Sequence, residues 1–198
     1  MIEDIFKCEI SGAEVYYADT SSLDLKCEYC EVSQYRKNKI NKLRNERDKK
    51  LSLGAELLLI HALRQHFPDV TLPLEFEVGE YGKPKLKNIN GLYFSLAHAD
   101  NISVCAISDT EVGVDIENRT RISECISRKY FTERERQYDF SYIWTRKEAV
   151  AKADGRGLGL GIDTFDVTDN ELELNEKIYK LATFNPQIGE TCISLCVL

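Results

Sequence analysis

The stretch "GLYFSLAHADNISVCAISDTEVGVDIE", residues 91–117, constrains the fold more than any other part of the chain. It holds three runs of apolar and β-branched residues, broken at Ala99 to Asn101 and at Ser108 to Glu111. That is the pattern of three short strands in an antiparallel meander. In the last run Val112, Val114 and Ile116 alternate with Gly113, Asp115 and Glu117. Side chains on a strand repeat with a period of two, so the three apolar groups share one face and the two carboxylates share the other. Two acids one pleat apart repel each other, and such a pair is stable only with positive charge close by.

Helical patterns surround these strands. Leu51, Leu53, Leu57, Leu58, His61 and Ala62 recur near helical spacing in a block from Ser33 to Phe67, which Pro68 ends. A second helical segment covers Ile122 to Tyr130, and "FTERERQYD" predicts the start of another, with Thr132 as N-cap and Glu135 three residues on. "SYIWTRKEAVAKA" is strongly helical until "DGRGLGLG" stops it. Those glycines follow a helix and match neither GxGxxG nor GxxxxGK[ST], so they read as a C-cap and a turn into the next strand. The start of the chain, the segment "LEFEVGEYGKPKL" with its breaks at Gly82 and Pro84, and the tail from "TFDVTD" to "TCISLCVL" read as strands. Strands and helices thus recur in similar order in both halves. The expected architecture is α+β with two similar, pseudo-symmetric lobes, each a small antiparallel sheet packed with a helix. The N-terminal lobe is expected over 1–104 and the C-terminal lobe over 105–198.

Composition narrows the function classes. At 198 residues and 43% hydrophobic content the chain can bury a core and is not disordered. No apolar run approaches the ~20 residues that span a bilayer, and the start "MIEDIFKCEI" is acidic where a signal peptide is basic. A cytoplasmic protein without a membrane partner is expected. A net charge of -7 disfavours general nucleic-acid binding, and no nucleic-acid partner is expected. Seven cysteines (Cys8, Cys27, Cys30, Cys105, Cys125, Cys192 and Cys196) are an odd set in a chain without an export signal, which predicts reduced thiols. The CxxC of Cys27 and Cys30 and the CxxxC of Cys192 and Cys196 have zinc-compatible spacing. The second pair, however, alternates with Ile193, Leu195 and Val197 like one face of a terminal strand. Against the acidic total, "RKNKINKLRNERDKK" from Arg36 to Lys50 is basic, either a solvated helix face or a surface for phosphate or an acidic partner.

The chemistry gathers around the paired acids. Trp144, Glu148 and Lys152 follow one another at intervals of four, which sets them on one stripe of a helix. An i,i+4 ion pair between Glu148 and Lys152 accounts for that stripe and leaves Asp115 and Glu117 unexplained. Taken together, Asp115, Glu117 and Glu148 make an all-oxygen set suited to Mg²⁺, whose remaining positions go to water and substrate phosphate oxygens. A phosphorylated substrate also needs cations, and Lys83, Lys85, Lys147, Lys152 and the 36–50 block can supply them. His98 falls where a strand breaks and is either structural or functional, while His61 and His66 read as core-edge residues.

The segments "EYGKPKL", "FSLAHAD", "GVDIE" and "WTRKEAVAKADGRGL" fall in an order and spacing that resembles the surfactin-type 4'-phosphopantetheinyl transferases, over about Lys50 to Val167. Those enzymes move the phosphopantetheine arm of coenzyme A onto a serine of an apo acyl or peptidyl carrier protein and release 3',5'-ADP. The resemblance implies that Asp115, Glu117 and Glu148 hold Mg²⁺ on the coenzyme A pyrophosphate, with Glu148 also the base for the carrier serine. It implies that Lys152 and Lys147 neutralise the pyrophosphate, and that Lys83, His98 and Lys50 contact the nucleotide end, the last two at the 3'-phosphate. Lys37 is a weaker candidate for the same role. Two departures stand out. The family's "NISHS" reads "SLAHA", with Ala97 in place of a serine, and the stretch from Glu117 to Trp144 is short for the family. Two similar halves in one chain predict a monomer. The competing functions are a Mg²⁺-dependent nucleotide phosphohydrolase and a non-catalytic carrier-binding module.

Overall fold

The computed structural model describes residue 2 and residues 4–198. In chain order its elements are β1 (Phe6–Ile10), β2 (Ala13–Asp19), α1 (Leu25–Glu28), α2 (Gln34–Ile40), α3 (Glu46–His66), β3 (Phe76–Val78), β4 (Pro84–Leu86), β5 (Tyr93–Ala99), β6 (Ile102–Ser108) and β7 (Val112–Asn118). There follow α4 (Glu124–Tyr130), α5 (Phe140–Asp154), β8 (Glu171–Leu174), β9 (Lys177–Phe184) and β10 (Thr191–Val197). One antiparallel sheet has the order β1-β2-β6-β5 and a second the order β7-β10-β9-β8, with β3 and β4 forming a separate hairpin.

Alternation decides how these parts stack. The inward faces of the two sheets meet, with Val15, Tyr17, Val104 and Ala106 of the first packed against Val114, Ile116, Ile193 and Leu195 of the second. The outer face of the first sheet, with Tyr16, Cys105 and Ile107, takes Leu53, Leu57 and other apolar side chains of α3. The outer face of the second, with Leu181 and Cys196, takes Val150 and Ala153 of α5. Each fully buried Leu or Val in these layers contributes about 1.5–3 kcal/mol. The result is a helix–sheet–sheet–helix stack of two lobes, each a small antiparallel sheet packed with a helix.

Several local expectations give way to tertiary constraints. The third strand of 91–117 does not continue a meander, because β6 already pairs with β2 on one side and β5 on the other. With no edge left on β6, β7 crosses to the second sheet and pairs with β10. The division between the sheets therefore falls after Ser108, in the turn that follows β6. The helical block from Ser33 to Phe67 is interrupted between Ile40 and Glu46, where Asn45 caps α3 through Arg47 N–H. Thr132 and Glu135 do exchange the expected cap bonds, 2.7 Å from Thr132 N–H to the Glu135 carboxylate and 3.2 Å from Glu135 N–H to Thr132 Oγ1. Only a single 3-10 turn follows them, and the long helix begins at Phe140. "TFDVTD" is irregular, strand structure resuming at Glu171. No helix among the described residues is long and apolar enough to cross a membrane.

Candidate active site

β7 is the edge strand of the second sheet and runs beside β5, the edge strand of the first. An edge leaves N–H and C=O groups without ladder partners, and here side chains supply them. Val114 N–H donates to Ser95 Oγ at 3.0 Å. The Val112 and Val114 carbonyls accept from Lys83 Nζ at 3.2 Å and Lys152 Nζ at 3.0 Å. Lys83 also donates to Glu111 at 2.6 Å and to the Ala153 carbonyl at 3.1 Å, so one ammonium ties the β3–β4 turn, β7 and the end of α5. Burial lowers the Lys83 pKa, and the Glu111 carboxylate opposes that shift.

Gly113 sets how close α5 can come. A Cβ there would lie 2.0 Å from the Ala149 carbonyl oxygen and 2.4 Å from the Ala153 amide nitrogen. The helix backbone therefore rests directly on the strand, which only glycine permits. Ala149 and Ala153 are four residues apart and form the contacting face. Glu148 and Lys152, each one residue earlier, reach the neighbourhood of Asp115, the next outward-facing residue of β7. At the other end of the helix Gly155, at φ 91°, ends α5 as the left-handed C-cap that the glycine segment predicts.

Charge is unevenly distributed across this contact. Lys152 Nζ bonds Asp115 Oδ1 at 2.7 Å and so does not form the i,i+4 pair with Glu148 that helix spacing alone suggests. Burial pushes the Asp115 carboxyl pKa up, Lys152 pulls it down, and Glu117 adds a further upward push. Glu148 is raised by burial and then by Asp115, with Lys152 opposing and Glu117 adding to the rise. Glu117 itself holds the Arg121 guanidinium. Among the described residues no three carboxylate, imidazole or thiol groups enclose a metal position as they stand. Asp115 is turned onto Lys152 and Glu117 onto Arg121. The donor set is nonetheless all carboxylate oxygen, three acids against two cations, which fits a hard divalent cation.

A cleft of about 830 Å³ opens along the seam between the lobes. Lys83, His98, Asp115 and Lys152 line it, and Tyr81, 61% exposed, stands at its rim. Burial lowers the His98 pKa, and the Lys152 and Arg36 cations lower it further. Ala97 lines the same wall. Glu117 and Glu148 stand beside Asp115 but outside the cleft lining.

Two lysines of the expected binding set lie elsewhere. Lys50 donates to the Ser21 carbonyl at 2.9 Å and pairs with Glu46 at 3.6 Å, beside a separate small hollow. Lys147 is 0% exposed, and its ammonium meets Glu135 at 2.9 Å and the Ile162 and Phe165 carbonyls at 2.8 and 2.7 Å. Three acceptors use all three of its protons. Adjacent helix positions point about 100° apart, so Lys147 cannot share the Glu148 face. With Arg146, which holds the Val167 and Asp169 carbonyls, it binds the loop after α5 to the helix.

The basic block also lines the cleft, through Arg36, Lys39 and Lys42. Their spacing of three, which gathers side chains on one helical face, was the available signal. Arg36 is fixed there by a buried network. Glu56 accepts Ser33 N–H at 2.6 Å, Ser33 Oγ at 3.0 Å and Arg36 Nε at 3.1 Å, while Arg36 Nη1 donates to Ser52 Oγ at 3.2 Å. The zinc-compatible cysteines do not come together, since Cys27 and Cys30 are exposed beside α1 and Cys192 and Cys196 are buried in β10.

The family model of the 4'-phosphopantetheinyl transferase superfamily matches residues 111–195, which include β7 and α5. The chain is 31% identical over 172 residues to 4'-phosphopantetheinyl transferase gsp of Aneurinibacillus migulanus, covering 76% of this chain and 71% of that protein. It is 25% identical over 147 residues to 4'-phosphopantetheinyl transferase Sfp of Bacillus subtilis (strain 168), covering 69% of this chain and 66% of that protein. With 4'-phosphopantetheinyl transferase psf-1 of Bacillus pumilus it shares 31% over 133 residues, 60% of this chain and 55% of the relative. The chain thus spans about two thirds of the Bacillus subtilis relative's length.

Proposed function

The chain belongs to the 4'-phosphopantetheinyl transferase superfamily, and from that premise we propose that it transfers the 4'-phosphopantetheine of coenzyme A to a serine of an apo acyl or peptidyl carrier protein. The observation that carries this reading is the contact of α5 with β7, which sets Asp115, Glu148 and Lys152 against one another at a cleft walled by lysines. When bound by Asp115, Glu117 and Glu148, Mg²⁺ supplies positive charge to the pyrophosphate oxygens.

The chain's own residues divide the remaining work. Lys152 uses two of its protons on Asp115 and Val114, which leaves the third for a pyrophosphate oxygen. Lys83 uses all three within the protein and acts through its charge and by fixing the cleft wall. Lys39 and Lys42, from the N-terminal lobe, line the same cleft and suit the phosphate of the nucleotide end, with His98 in the same lining. Glu148, its pKa raised by burial and by Asp115, is suited to take the serine hydroxyl proton on its carboxylate, directly or through water. The serine oxygen then attacks the pantetheine-side phosphorus and 3',5'-ADP leaves, without a covalent enzyme intermediate. Lys147, enclosed as it is, serves α5 and its loop. A monomer in the cytoplasm goes with this reading.

The test incubates the protein with Mg²⁺, coenzyme A and a panel of apo carrier proteins, followed by intact mass. A phosphopantetheinyl gain on the carrier serine is expected. No gain across a panel that a known transferase modifies sinks the proposal, and 3',5'-ADP release without any carrier redirects it to a phosphohydrolase.

A further inference from the structure

We propose that Arg121 is an internal counter-cation of the metal-binding acids, occupying the Glu117 carboxylate when no metal is bound and competing with a divalent cation for it. The inference rests on the reading that Asp115, Glu117 and Glu148 hold the metal. Arg121 is placed for this by its local chain. Asn118 Oδ1 accepts Thr120 N–H at 2.8 Å and Thr120 Oγ1 at 2.6 Å, and Arg121 N–H donates to the Asn118 carbonyl at 3.1 Å. That turn folds the chain back at the end of β7. One side of the guanidinium meets Glu117, and its carbon lies 5.9 Å from the centre of the Phe140 ring.

Phe140 is no loose neighbour. It stacks on Phe131 at 5.5 Å and on Trp144 at 6.2 Å between ring centres. Trp144 lies one helical turn before Glu148, so the aromatic shelf that seats Arg121 is continuous with the helix that carries the third acid. The pair also sits at the solvent boundary, with the Arg121 side chain 44% exposed and that of Glu117 13%. Arg121 can therefore swing into water when displaced, whereas Glu117 stays. A guanidinium does not lose its proton at any ordinary pH, so while the Glu117 carboxylate is ionised it is a competing cation that releases Arg121. Lys152 pairs with Asp115 in the same way, so two of the three acids hold a cation of the chain itself in the metal-free protein.

The test measures binding of Mn²⁺ to the full chain, without coenzyme A or carrier, from the electron paramagnetic resonance signal of the free ion. Removing the charge in Arg121→Gln is expected to tighten Mn²⁺ binding about two- to fivefold, the range of a partly exposed ion pair. Arg121→Lys, which keeps the charge, is expected to bind as the wild type does. Melting in chelator and in Mn²⁺ separates this from a merely structural role. The glutamine variant should gain more from Mn²⁺ than the wild type, where a structural defect lowers both melts equally. Unchanged or weaker Mn²⁺ binding by Arg121→Gln, or a lysine variant that behaves like it, overturns the inference while leaving the metal reading in place. A wild type that binds no Mn²⁺, with Asp115→Asn making no difference, overturns both.

Discussion

In the N-terminal lobe α3 meets its sheet through Gly54, where a Cβ would lie 2.3 Å from Thr20 Cγ2 and 3.0 Å from Ser103 Oγ. In the C-terminal lobe the glycine is on the strand, and the helix backbone at Ala149 and Ala153 rests on Gly113. The two lobes use the same close approach but balance buried charge differently. Beside α3, the Glu56 carboxylate is saturated by Ser33 and Arg36. Beside α5, three acids face the ammonium of Lys152 and the guanidinium of Arg121, and two of them are raised in pKa. A closed ion pair fixes a wall; an acid cluster short of cations is a place for a ligand.

Removing one acid from each lobe breaks the comparison most sharply. Glu56→Gln leaves Arg36 without its buried partner and is expected to cost about 3–5 kcal/mol. Asp115→Asn relieves repulsion on Glu148, and Lys152 keeps the Val114 carbonyl. Its metal-free stability is expected within about 1 kcal/mol of wild type, or above it, while carrier modification falls on the order of 100-fold, the usual loss when one charge-stabilising group goes. Urea titrations paired with the carrier assay read both numbers. An Asp115→Asn protein as unstable as Glu56→Gln would mean that the C-terminal acids are structural after all.

The glycines come next. At Gly113 the clash is with helix backbone, which cannot rotate away, so Gly113→Ala is expected at or above the upper end of the about 1–3 kcal/mol typical of overpacking. It should also reduce turnover by moving Glu148 and Lys152 off Asp115. At Gly54 the nearest atoms belong to the Thr20 side chain. Gly54→Ala is expected near the lower end of the same range, with the site undisturbed. Equal losses of stability and of turnover in the two variants contradict this ranking.

The same contrast explains what the sequence disclosed. Period-two alternation placed Val112, Val114 and Ile116 in the core and Asp115 and Glu117 opposite, because that periodicity is local. The Trp144, Glu148 and Lys152 stripe was equally visible, as was the glycine stop at Gly155. Which strand β7 pairs with was not legible, since its apolar face reads alike against β6 or β10 and only the crowding of β6 decides. Lys147 and Lys50 show a second limit. A lysine in a helix serves either a phosphate or acceptors within the protein, and for Lys147 the choice depends on Glu135 and on a distant loop, here Ile162 to Phe165, that spacing cannot locate. The role of Gly113 was hidden for the same reason, because the backbone it admits is 36 residues later in the chain.

The lobes should also answer pH in opposite directions. In the N-terminal lobe burial works against ionising Glu14, but hydrogen bonds from Lys7, Tyr16 and His66 outweigh it and bring its pKa down to about 2. A depressed carboxyl stabilises the fold above its unfolded pKa of 4.5 and loses that contribution as the pH falls toward about 2. Asp115 and Glu148 are raised, so the folded protein holds protons that the unfolded chain has released. Their contribution is present in acid and lost as the pH climbs from the ordinary carboxylate range through their raised values. Thermal melts of the metal-free protein should therefore show Glu14→Gln flattening the acid limb and Glu148→Gln flattening the decline on the rising-pH side. Mg²⁺ should restore wild-type stability on that rising side and do little in acid, where protons already occupy the carboxylates. A Glu148→Gln profile parallel to the wild type would place the surplus charge elsewhere than in the contact between β7 and α5.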